Sequence, residues 1–76
     1  MISACILVRS EKGKFDDVVA TLKQIKEAKR VFPVLGRFDA VVDLEVQEHK
    51  ELGPAIMKMA KMAGVIFTES LVEIQL

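Results

Sequence analysis

The sequence predicts an α+β domain, a four-stranded antiparallel sheet with two helices on one face. Short apolar runs rich in β-branched residues stand at 2–8, 31–35, 40–46 and 65–76. Between the first and second runs, and between the third and fourth, apolar residues recur at three- and four-residue spacing, the mark of an amphipathic helix. With 76 residues, the chain has room for one core and is expected to form a single domain over residues 1–76.

In the first strand Ile2, Ala4, Ile6 and Val8 share one face, and Cys5 and Leu7 the other. Glu11, Lys12 and Gly13 form a turn, after which Phe15, Val18, Val19, Leu22 and Ile25 trace a helical stripe. Asp16 and Asp17 near its start and Lys26, Lys29 and Arg30 near its end suit the helix dipole, so a helix over 14–27 is expected. The second strand, 31–35, contains Pro33, which cannot donate to a ladder and therefore predicts an edge strand or a bulge.

Gly36, Arg37, Phe38 and Asp39 make the turn into the third strand, where Ala40, Val42, Leu44 and Val46 alternate with Val41, Asp43 and Glu45. A second helix follows, starting near 48–51 so that Pro54 falls in its first turn, with Leu52, Ala55, Ile56, Met59, Ala60 and Ala63 as its stripe and Gly64 as its stop. Met57, Met59 and Met62 are expected to fill space between helix and sheet. The last strand, 65–76, is expected to kink at Thr68, Glu69 and Ser70.

This order, β-α-β-β-α-β with right-handed crossovers, is the ferredoxin-like arrangement. It leaves one sheet face uncovered, carrying Cys5, Leu7, Val41 and Leu71, and a homodimer packed through that face would compensate for a small core.

Composition excludes several functions. Eleven Lys plus Arg balance eleven Asp plus Glu, which disfavours direct nucleic-acid binding. No stretch approaches the roughly 18 to 20 apolar residues of a membrane helix, and no leader pattern is present, so a cytoplasmic location and no membrane partner are expected. One cysteine and one histidine, Cys5 and His49, rule out an internal disulfide and disfavour a structural zinc, and no cofactor or metal is expected. Asp43 and Glu45 read as solvated or intersubunit charges rather than a general acid/base pair, and no catalytic residue is assigned.

The length, the element order, Val31 followed by Val34, Leu35 and Gly36, Phe38 and Asp39 entering a strand, the Met62 to Val65 junction and the terminal strand from Thr68 together resemble the C-terminal effector-binding and oligomerisation (RAM) domain of the Lrp/AsnC transcriptional regulators. The resemblance covers essentially the whole chain. Because Met1 leads directly into the first strand, it is closest in kind to stand-alone members, which lack the helix-turn-helix domain. It implies a non-enzymatic regulatory module that forms dimers and octamers, binds an amino acid or related metabolite between them, and can act with full-length relatives.

The resemblance also implies the site. Gly36 would let the backbone turn or approach a ligand, Asp39 receive an ammonium group, and Arg37 offer a paired contact to a carboxylate, with Phe38 beside them. Thr68, Glu69 and Ser70 are second-rank candidates. Turn chemistry explains Gly36 and Asp39 equally well, since both residue types shape hairpins and cap amides. A structural or protein-interaction module without ligand binding is therefore the alternative.

Overall fold

A computed structural model describes every residue, Met1–Leu76, as β1 (Ile2–Ser10), α1 (Phe15–Leu22), β2 (Ala28–Pro33), β3 (Ala40–Val46), α2 (Leu52–Ala60) and β4 (Val65–Val72), with one 3-10 turn at His49–Glu51 leading into α2. The strands form a single antiparallel sheet in the order β2-β3-β1-β4, the expected ferredoxin-like topology.

Period-two alternation sets the layers. Ala4, Ile6 and Val8 of β1 and Ala40, Val42, Leu44 and Val46 of β3 are buried beneath the helices, together with Val18, Leu22 and Ile25 from the first helical segment and Leu52, Ala55 and Met59 from the second. Directly paired residues of an antiparallel ladder point to the same face. The register Cys5↔Asp43, Leu7↔Val41 and Cys5↔Leu71 therefore puts Cys5, Leu7, Val41, Asp43 and Leu71 together on the open face, as expected. Phe32 joins them through its pairing with Val41.

Several boundaries differ from expectation. The first helix ends at Leu22 rather than continuing to 27, because the amides of Gln24 and Ile25 bond to the carbonyls of Thr21 and Leu22, a tighter turn that still buries Ile25. Residues Ala28, Lys29 and Arg30, which fall between the expected helix and the expected strand, already belong to β2, which ends at Pro33 rather than at 35. β4 stops at Val72, and its irregularity lies at Ile66 rather than at 68–70: Arg9 pairs with Phe67 and Ser10 with Val65, leaving Ile66 as the extra residue of a bulge. Of the three methionines expected to pack, Met59 is fully buried and Met62 packs against the core, but Met57 is half exposed, and Ala60 and Ala63 also face outward.

Two details fix the ends of the sheet. Pro33 lies on β2, which is an edge strand with a second bulge at Lys29, between the pairs Ala28↔Leu44 and Arg30↔Asp43. At the other end Gly64, at φ +89°, turns the chain from α2 into β4, and its carbonyl accepts from the Glu11 amide at 2.6 Å.

Candidate functional site

The loop from Val34 to Asp39 folds back over the C-terminal end of β1. Its last residue is held on both sides: the Asp39 amide donates to the Val8 carbonyl at 2.8 Å, and the Val34 amide donates to the Asp39 carbonyl at 3.0 Å. The Asp39 carboxylate accepts, at Oδ2, from the Ser10 amide at 2.8 Å and from the Ser10 hydroxyl at 3.3 Å. The structure thus gives Asp39 a turn-fixing role and leaves Oδ1 without a protein partner.

Gly36 adopts φ +137°, a conformation that disfavours any side chain, although a Cβ there would meet no atom within 4 Å. The constraint at Gly36 is therefore conformational, with open space beside it. Leu35 and Arg37, its neighbours, are exposed, while Phe38 is half-buried.

Phe38 organises the surface. Its ring stacks on Phe67 with centroids 6.2 Å apart and planes at 22°, and the Arg9 guanidinium carbon lies 5.5 Å from its centre. Arg9 is tied down further, its Nε donating to the carbonyl oxygen of Arg37 at 2.9 Å. Arg9 and Phe67 are cross-strand partners at the bulge, so a tertiary pair and a loop meet at one corner of the sheet.

The seven predicted residues are brought near one another only in part. Gly36 to Asp39 form one loop, and Thr68 lies across β1 from it through Val8, which pairs with both Thr68 and Ala40. Ser70 pairs with Ile6 and shares the helix-covered side with Thr68; Glu69 pairs with Leu7 and faces the open side. The sequence alone does not single out Arg9, Ser10 or Phe67. Ser10 ending an apolar strand and Phe67 beginning one were the available signals, and neither specifies a contact across nearly thirty or more residues.

The open face holds a hollow of about 440 Å³ at the opposite end, lined by residues that include Ser3, Cys5, Lys29, Asp43, Glu45 and Leu71. Lys29 and Glu45 pair across it at 3.3 Å. Burial, and then the Asp43 charge, push the Cys5 thiol above its ordinary pKa, so the thiol is poorly suited to nucleophilic work near neutrality. No group of three or more His, Cys, Asp or Glu side chains is placed to hold a metal ion.

No family model matches the chain, and no curated protein sequence does. Solved structures match closely: FFRP-DM1 superposes with a TM-score of 0.92 at 31% identity, over 97% of this chain and 100% of that one. The chain belongs to the Lrp/AsnC family. Among its more distant members, E. coli AsnC shares the fold at 14% identity and a TM-score of 0.89, over 97% of this chain and 51% of its own. The feast or famine regulatory protein Rv3291c of M. tuberculosis, in complex with L-methionine, shares it at 22% identity and a TM-score of 0.83, over 100% of this chain and 52% of its own. The chain thus corresponds to about half of those two regulators. As an Lrp/AsnC effector-binding domain it is a regulatory unit and not a catalyst.

Proposed function

We propose that the protein is a non-enzymatic sensor that binds an amino acid or a related small metabolite where its own copies meet. Copies pair through the open sheet face into dimers, dimers assemble as far as octamers, and the assembly acts in the cytoplasm on full-length Lrp/AsnC relatives. The observation that carries this reading is the placement of the 34–39 loop. It is fastened to the ends of β1 and β4 through Ser10, Arg9 and Phe67, at the rim of a sheet face bearing Leu7, Phe32, Val41 and Leu71. A second copy covering that face would border the loop and close what is an open corner in one subunit.

The L-methionine complex of Rv3291c supports the choice of amino acids as the first ligands to try. A ligand that prefers one assembly shifts the population toward it, which couples binding to oligomer size. The test is a screen of the amino acids by thermal shift and calorimetry with mass measured in parallel. A panel with no binding and no change of mass would sink the sensor.

The second reading, an interaction module without a ligand, is favoured by one observation: Asp39 is already engaged by Ser10. Asp39→Asn, which keeps the acceptor oxygen, separates the two. Lost ligand binding with intact assembly supports the sensor; changed assembly in a protein that binds none of the panel supports the interaction module.

A further inference from the structure

We propose that Arg9 is the carboxylate-binding residue of the effector corner, and that Phe38 and Phe67 are the wall against which an apolar or aromatic side chain of the effector packs. The inference rests on the sensor reading above and names the chemistry of its ligand, a carboxylate joined to an apolar group.

A guanidinium binds a carboxylate best when its fork is already oriented. Arg9 is oriented twice, by the 2.9 Å bond from Nε to the Arg37 carbonyl and by its place over the Phe38 ring. Both contacts spare the terminal amino groups, which retain four N–H donors. Arg9 is exposed, and the ion pairs of the chain engage Lys29, Lys50 and Lys58 instead. It is therefore a positioned cation without an internal anion. Arg37, the residue to which the loop motif draws attention, has an exposed side chain and contributes its carbonyl oxygen to Arg9.

The apolar half of the site is adjacent. Phe67 stacks on Phe38 yet remains 52% exposed, leaving apolar surface uncovered beside Arg9. One side of the corner thus supplies donors and the other an uncovered aromatic surface. Asp39, whose Oδ1 has no protein partner, is held on Ser10 by the same loop that carries Phe38.

Calorimetry on the assembled protein, with L-phenylalanine, L-phenylalaninamide and phenylacetate as probes, tests this. L-phenylalanine is expected to bind at least tenfold more tightly than the amide, which lacks the carboxylate. Arg9→Gln is expected to weaken L-phenylalanine at least tenfold, Phe67→Ala to weaken it severalfold, and Lys12→Gln, a charge removed from the distant turn, to leave it within twofold. The acid-against-amide comparison uses the unaltered protein and does not depend on any variant folding. Equal binding of acid and amide, Arg9→Gln binding like wild type, or loss with Arg37→Gln but not with Arg9→Gln would each overturn the assignment. Binding of phenylacetate but of no amino acid would keep Arg9 and discard the amino-acid sensor. Amino acids bound equally by wild type and Arg9→Gln would do the reverse, and no binding of phenylacetate or L-phenylalanine overturns the Arg9 assignment.

Discussion

Asp39 and Ser10 are joined by two hydrogen bonds to a single carboxylate oxygen, one from the backbone amide at 2.8 Å and one from the hydroxyl at 3.3 Å. The contact fastens the 34–39 loop to β1, so its removal frees a part-buried amide and loosens the corner. Asp39→Ala is expected to lower stability by about 1 to 3 kcal/mol, the range for stranding a buried polar group. Ser10→Ala, which keeps the amide bond, should cost less. Urea midpoints with unchanged slopes provide the measurement.

Gly64 and Gly36 both carry positive φ, but their surroundings differ. A Cβ at Gly64 would lie 2.8 Å from Val18 Cγ2, inside the core, whereas one at Gly36 would meet open space. Both alanine variants incur backbone strain of about 1 to 3 kcal/mol, the cost of a sparsely populated backbone region, and only Gly64→Ala adds a steric clash. Its melting temperature is expected to fall further than that of Gly36→Ala, and equal losses would show that Val18 yields freely.

The Cys5 thiol is held above its ordinary pKa by burial first and by Asp43 second. A raised folded-state pKa means that the unfolded chain gives up this proton at lower pH. The contribution to stability is then flat below the ordinary thiol range and falls as pH rises through it. Iodoacetamide labelling of native protein should titrate at lower pH in Asp43→Asn than in wild type, since one of the two causes is removed. Because Cys5 lies on the face that the proposed dimer covers, dilution to monomer should also speed labelling.

Leu71 is 51% exposed on the same face, opposite Cys5. A carboxylate placed there by Leu71→Asp would be desolvated in a dimer and free in a monomer. Sedimentation should find the dimer weakened at least a hundredfold, about 2.7 kcal/mol, with the monomer fold retained. A dimer of unchanged affinity would place the seam elsewhere.

The fold was legible because its signals are local and repeated. Alternation at Ala40–Val46 and the stripe Val18, Leu22 and Ile25 each state which side faces the core. Ends were harder, because the departure at Leu22 depends on how the chain must turn to enter β2, and the bulge at Ile66 on the register of β4 against β1. At the corner, Gly36 and Asp39 were visible as turn residues. Their partners were not, because Ser10 lies 29 residues from Asp39, and the Phe38–Phe67 stack forms only once β1 separates β3 from β4.

The two rims of the sheet are unequal. Both edge strands carry a bulge, at Lys29 and at Ile66, but β2 adds Pro33 and the charges of Lys29 and Arg30, which discourage another strand from docking, whereas β4 has no proline and exposes Ile66, Phe67 and Leu71. A strand ladder begun at β4 of one copy and continued through β4 of another would present only β2 rims at its two ends. Lateral growth would then halt after a single joining, so the chain can leave one hydrophobic rim available without starting a fibre.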